Sequence, residues 1–225
     1  MADYVTQVDF SVQKHLTEEL ARLYPDIQFL GEEGQKHALD WMRPVWILDP
    51  VDGTTNLIHD FQESCVSLGL WDGRELVFGC VYNPFHEELF TAVKGQGAYL
   101  NGKKMTVSDR PDLRHSLIMV GTSPYEKNRA DEVFDKMKRL FVASEDIRRS
   151  GSAAIDLCTV ACGRADGFFE YNLKPWDYAA SAAIIMEAGG SVTGLDGKPI
   201  FPGENAVVVA SNGHIQQELL GELNR

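Results

Sequence analysis

Val12, Leu16, Leu20 and Leu23 recur at helical spacing within Ser11–Tyr24. They form one apolar stripe of an amphipathic helix, and Pro25 closes it. Ile27–Leu30 reads as a short strand stopped by Gly31-Glu32-Glu33-Gly34. Val45-Trp46-Ile47-Leu48 is a continuous apolar run that ends at Asp49-Pro50, the pattern of a buried strand. The turn Asp52-Gly53-Thr54-Thr55-Asn56 after it can open a helix. From Cys65 to Met105 the pattern is that of antiparallel sheet. Val66–Trp71 and Glu75–Tyr82 flank Asp72-Gly73, a hairpin signal, and Glu88–Val93 and Gly97–Leu100 continue the meander to a turn at Asn101-Gly102. Gly95 and Gly97 lie between strands rather than before a helix, which marks turns and not a nucleotide loop.

The second half alternates. Leu117–Val120, Asp166–Glu170 and Val207–Ala210 read as strands. Asn128–Leu140, Ala153–Cys162, Trp176–Ala188 and Ile215–Leu223 read as helices, with Gly189-Gly190 ending the third. Antiparallel sheet followed by alternating units predicts a mixed α/β fold with layered sheets.

Composition narrows the class. The 225 residues are 44% hydrophobic and 24% charged, as in ordinary globular proteins. No apolar run approaches the roughly 18 residues of a membrane helix, and no signal peptide opens the chain. Lys and Arg number 21 against 33 Asp and Glu, a net charge of −12 that argues against nucleic acid and membrane partners. The four cysteines, Cys65, Cys80, Cys158 and Cys162, form no C-x-x-C pair and read as buried thiols of a reducing cytoplasm. The six histidines are scattered and receive no catalytic role.

The acids are not scattered. Glu32 and Glu33 occupy one turn, Asp49 and Asp52 a second, and Asp177 follows Pro175-Trp176 just before a helix. Each alone could be a solvated turn residue or a helix cap. Asp49 is harder to explain that way, because it ends an apolar strand where an unpaired charge is costly. Carboxylates held close repel unless a proton or a cation lies between them, and hard oxygen donors suit Mg²⁺, Mn²⁺ or Ca²⁺. Gly53 leaves backbone N–H groups open to an anion. A carboxylate pair beside an anion cradle is the layout of two-metal phosphoryl transfer. No P-loop and no Ser-His-Asp context suggests a covalent route.

The run Trp46-Ile47-Leu48-Asp49-Pro50-Val51-Asp52-Gly53-Thr54-Thr55-Asn56 resembles the signature of the inositol monophosphatase family. So does Trp176-Asp177-Tyr178-Ala179-Ala180 continuing to Glu187-Ala188-Gly189-Gly190. Gly31-Glu32-Glu33 and Val5-Thr6-Gln7-Val8-Asp9 fit the same family in the same order. The resemblance spans essentially the whole chain. It implies an α/β layered sandwich of α+β type, with alternating helix and sheet layers and a single catalytic domain over residues 1–225. Two halves, roughly 1–147 and 148–225, would share one active site.

It also implies roles. Glu32, Asp49 and the carbonyl of Val51 would bind one Mg²⁺. Asp49, Asp52 and Asp177 would bind a second, and Glu32 with water a looser third, with Mn²⁺ a possible substitute. Asp9 and Thr54 would orient and deprotonate the attacking water. The amides of Gly53 and Thr54 would hold the phosphate. Asp52, Gly151, Ser152, Ala153, Glu170 and Asp177 would contact the substrate. The implied protein is a Li⁺-sensitive cytoplasmic homodimer that hydrolyses a small phosphate ester.

Family members usually carry a helical segment before the Thr-x-x-Asp motif, which here begins at Thr6. Asn56 after Thr54-Thr55, where nucleotide-acting relatives tend to carry Lys-Glu, points to inositol or sugar monophosphates. Asn172-Leu173-Lys174-Pro175 resembles bacterial and archaeal members, some of which accept fructose 1,6-bisphosphate. Arg148 and Arg149 could hold a second phosphate or simply face solvent. A fructose-1,6-bisphosphatase, a dual-specificity phosphatase, and a weakly active or inactive metal-binding relative are the alternative readings.

Overall fold

The computed structural model describes residues 6–34 and 38–225. Helix α1 (Gln7–Leu23) leads to β1 (Gln28–Gly31), which pairs in parallel with β2 (Val45–Asp52). A short helix, α2 (Thr54–Ile58), leaves β2. The meander β3 (Cys65–Trp71), β4 (Leu76–Asn83), β5 (Glu88–Val93), β6 (Gly97–Leu100) and β7 (Lys103–Met105) completes a seven-stranded sheet in sequence order. The second sheet is built from β8 (Leu117–Val120), β9 (Asp146–Arg148), β10 (Gly167–Leu173), β11 (Ser191–Thr193) and β12 (Ala206–Ser211), ordered β11-β12-β10-β8-β9. Its helices are α3 (Ala130–Ala143), α4 (Ala153–Ala161), α5 (Pro175–Glu187) and α6 (Gln216–Leu223).

The layers alternate as expected. Helix α1 lies against β2, α5 covers the first sheet on its other side, α4 packs between α5 and the second sheet, and α3 with α6 close the far face. Strand alternation builds two cores from one sheet. Met119, Phe168, Val208 and Ala210 join the inter-sheet core, while Ile118, Val120, Phe169 and Val209 join the core beneath α3 and α6. Helix α5 is buried nearly all round. It approaches the sheet so closely that a Cβ on Gly79 would stand 2.2 Å from the carbonyl oxygen of Ala180. The small residues of the Tyr178-Ala179-Ala180 run and the glycines opposite them permit that approach.

Differences from the expected elements have local causes. Helix α1 starts at Gln7, four residues before Ser11, because Thr6 caps it by accepting from the amide of Val8. Strand β7 ends the expected sheet at Met105 after the Asn101-Gly102 turn, whereas β9 and β11, three residues each, were not expected from the pattern. Such short edge strands carry too few alternations to register. The second sheet begins at Leu117, upstream of the expected division near residue 147. Cys65 and Cys158 are buried as expected, whereas Cys80 and Cys162 are only half-buried, and all four are free thiols. No helix among the described residues is long and apolar enough to cross a membrane.

Candidate active site

Both sheets contribute walls to one cleft of about 640 Å³. Glu32, Asp49, Val51, Asp52, Gly53 and Thr54 line it from the first sheet. Gly151, Ser152, Ala153 and Glu170 line it from the second half, and Asp177 from the start of α5. Asp9 lies behind Thr54. Val5, at the head of its motif, falls outside the described residues.

Asp49 and Asp52 share the cleft because β2 is irregular. Asp49 is opposite Ser67 on β3 and Asp52 is opposite Cys65, so three steps along β2 match two along β3. In a regular strand, residues three apart point to opposite faces. The bulge turns both toward one side. Asp49 accepts a hydrogen bond from the amide of Val51 at 2.9 Å. One oxygen of Asp52, Oδ2, accepts from the Ser152 hydroxyl at 2.5 Å and from the Ala154 amide at 2.7 Å, at the N-terminus of α4. Asp177 occupies the first turn of α5 and accepts from the Lys174 amide at 2.7 Å, again through one oxygen.

Gly53 has φ +86, and a Cβ there would meet the carbonyl oxygen of Glu63 at 2.7 Å. Only glycine fits this step from β2 into α2. The Thr54 hydroxyl lies 3.0 Å from the Val51 carbonyl and 3.3 Å from Asp9 Oδ1. Asp9 is 1% exposed, sits in the first turn of α1, and also accepts from the Thr6 amide at 3.0 Å.

The electrostatics on this wall are one-sided. Burial raises the carboxyls of Asp49, Asp52 and Asp177 above their ordinary values, and Glu32 is pushed up to about 7 by the same cause. The negative charge of Glu32 beside it adds to the upward push on Asp49. Among the described residues no Lys, Arg or His ion-pairs with any of them. Buried acids without a cationic side chain, all oxygen donors, fit hard divalent cations. Among the described residues no three His, Cys, Asp or Glu side chains are yet drawn close enough to enclose an ion, so the fit rests on the donor set.

The second-sheet wall is built differently. Glu170 is 7% exposed and accepts from the Ser123 amide at 3.0 Å. Ser123 adopts φ +46, unusual outside glycine, and a Cβ on Gly121 would fall 1.8 Å from the Glu170 carboxyl carbon. β10 is also irregular just past Glu170, where Asn172 takes φ +52. Burial pushes Glu170 up to about 7. Asn56 ties the walls together, donating to the carbonyls of Glu63 at 2.7 Å and Ser150 at 3.1 Å.

Sequence reasoning missed Asp156. It is 1% exposed, accepts from the Ser150 amide at 3.2 Å, and is pushed up to about 8 by burial. Its position in the first turn of α4, beside the Gly151 loop, was the available signal. Gly121 and Ser123 had none, since their roles come from neighbours distant in sequence, and the bonds by which Asn56 joins the two walls were likewise not visible from its position after Thr55.

A model of the inositol monophosphatase family matches residues 1–225. Nus factor SuhB of Xylella fastidiosa is 44% identical over 195 residues, covering 87% of this chain and 70% of that protein. Inositol monophosphatase 2 of Solanum lycopersicum is 40% identical over 233 residues, covering 100% of this chain and 86% of its own. The structure of inositol monophosphatase from Anabaena superposes with a TM-score of 0.93 at 36% identity, over 98% of this chain and 87% of that one.

Proposed function

Because this chain belongs to the inositol monophosphatase family and is a phosphoric monoester hydrolase, we propose that it cleaves inositol monophosphate or a similar sugar phosphate with Mg²⁺ as cofactor. The observation that carries the reading is the gathering of Glu32, Asp49, Asp52 and Asp177 on one cleft, with no Lys, Arg or His among the described residues ion-paired with any of them. These four, with the carbonyl of Val51, would hold two to three Mg²⁺ ions, and Mn²⁺ could substitute. When bound, the ions supply positive charge for the phosphate and make the attacking water more acidic.

The protein's own groups divide the remaining work. The Thr54 hydroxyl has one proton and two acceptors in reach, the Val51 carbonyl and Asp9. Swinging that proton to Asp9 frees the hydroxyl oxygen to accept one from water, so Asp9 and Thr54 form the base. Water adds to phosphorus, the P–O bond to the sugar breaks, and the products are the free alcohol and inorganic phosphate. Gly53 and Thr54 would present their amides to the phosphate. Glu170 keeps one oxygen for a sugar hydroxyl, and Gly151, Ser152 and Ala153 shape the wall beside it. Contributions from both sheets support one catalytic domain over residues 1–225.

The same reading makes the protein a cytoplasmic homodimer inhibited by Li⁺. The free thiols support a reducing compartment. The test is phosphate release from inositol 1-phosphate with and without Mg²⁺, using Asp49→Asn as the control. Turnover by the variant equal to wild type would sink the mechanism.

A further inference from the structure

Asp156 is buried at the cleft, and the proposed reaction gives it no task. Among the described residues no Lys, Arg or His ion-pairs with it. A carboxyl held in this way costs stability. The dipole of α4 does not account for its contacts. Its Oδ1 reaches out of the helix, past the cap residue Ser152, and accepts from the Ser150 amide at 3.2 Å.

That bond closes a small network. The Ser150 hydroxyl accepts from the Ser152 amide at 3.1 Å and donates to the Ser152 carbonyl at 3.2 Å. The Ser152 carbonyl also accepts from the Asp156 amide at 3.0 Å. Asn56 of α2 holds the Ser150 carbonyl from the other side of the cleft. Gly151, between the two serines, takes φ +97. Glycine is free to leave that conformation, so the turn keeps its shape through these bonds. What the turn carries is the Ser152 hydroxyl. It accepts from the Ile155 amide at 3.2 Å, which leaves its one proton for Asp52 Oδ2 at 2.5 Å. A continuous path of hydrogen bonds thus runs from Asp156 through Ser150 and Ser152 to Asp52.

We propose that Asp156 is a positioning residue for Asp52: it fixes the Ser150–Ser152 turn, and the Ser152 hydroxyl then holds the Asp52 carboxylate in place for Mg²⁺. Groups that hydrogen-bond to a metal's ligands orient those ligands and tune their affinity. The inference rests on the phosphatase reading above and adds to it a residue that works only through its neighbours.

The experiment compares wild type with Asp156→Leu and Asp156→Asn. Leucine replaces a buried carboxyl with an apolar side chain of comparable shape, which such sites tolerate, and leaves the Ser150 amide without its acceptor. For Asp156→Leu the melting temperature at pH 8 stays within a few degrees of wild type. Its Mg²⁺ binding, measured by titration calorimetry without substrate, weakens about tenfold, and kcat on inositol 1-phosphate falls about tenfold with KM little changed. Asp156→Asn keeps an oxygen for the Ser150 amide and restores most of both. In a Ser152→Ala background the path is already cut, so Asp156→Leu weakens Mg²⁺ binding no further. Unchanged Mg²⁺ binding in Asp156→Leu overturns the proposal, and so does an equal further loss in the Ser152→Ala background. A rise in KM alone marks a substrate contact, and a fall in melting temperature that tracks the loss of Mg²⁺ binding marks a purely structural residue. Either result also overturns it. A wild type that fails to bind Mg²⁺, or to release phosphate from inositol 1-phosphate, overturns the phosphatase reading itself and this inference with it.

Discussion

Among the described residues no Lys, Arg or His ion-pairs with Glu32 or Asp49 on the first-sheet wall, whereas Glu170 on the second-sheet wall has one oxygen held by the Ser123 amide and feels the Arg149 guanidinium. Burial raises carboxyls on both walls, yet the environments differ in kind. The charges of the first-sheet carboxyls push one another up, a repulsion that a divalent ion would relieve. Glu170 sits among protein hydrogen-bond partners and is suited to a neutral hydroxyl. The difference teaches that acidity alone does not define a metal site. What defines it is carboxylates that lack any other way to lose their charge.

The sharpest way to break the comparison is to remove one acid from each wall. Asp49→Asn is expected to lower kcat/KM by more than about 100-fold, because even outer partners of metal ligands cost 10–100-fold. Glu170→Gln is expected to act mainly through KM. Steady-state kinetics on inositol 1-phosphate separates the two, and similar losses in kcat would erase the distinction.

A second effect is pH-dependent stability. Glu32, Asp156 and Glu170 have native values raised to about 7, about 8 and about 7 from ordinary values of 4.5, 3.8 and 4.5. In that interval the native state binds more protons than the unfolded chain. Stability is therefore full below about pH 4 and falls as pH rises toward 8. Without Mg²⁺, the melting temperature should drop by several degrees between pH 5 and pH 8. Saturating Mg²⁺ should recover the share due to the first-sheet wall and leave the share due to Asp156. Calorimetric scans at two pH values, with and without Mg²⁺, measure this, and an Mg²⁺ effect no larger at pH 8 than at pH 5 would contradict it.

Gly121→Ala places a methyl group into the Glu170 carboxyl. It is expected to cost about 1–3 kcal/mol in urea unfolding, while Mg²⁺ binding at the other wall persists. The smallest effect is expected from Asn56→Ala, which removes the hydrogen bonds that join α2 to the Gly151 loop, at about 1–2 kcal/mol.

Much of the fold was legible in the sequence because periodicity reports burial. The apolar run Val45–Leu48 became the fully buried start of β2, and the small-residue run after Trp176 became the helix that lies closest to the sheet. Asp9 and Thr54, 45 positions apart, were paired in advance only through family resemblance, and the structure brings them within 3.3 Å. Asp156 was overlooked because a lone acid in a helix's first turn ordinarily serves the helix dipole.

By itself the sequence determined which stretches are strands and helices, that the oxygen donors fall at their ends, and that the chain is acidic. Those are local properties, set by side-chain type and spacing along one segment. Only the tertiary structure decided that Asp49 and Asp52 face one side, since a spacing of three residues puts them on opposite faces of any regular strand and only the β2–β3 bulge reverses that. It also decided between Arg148 and Arg149, whose sequence contexts are nearly the same. An ion pair to Asp146 holds one, and the turn at Gly151 carries the other into the cleft. Both outcomes depend on pairing with residues remote in the chain, and such pairing leaves no periodic trace along the sequence.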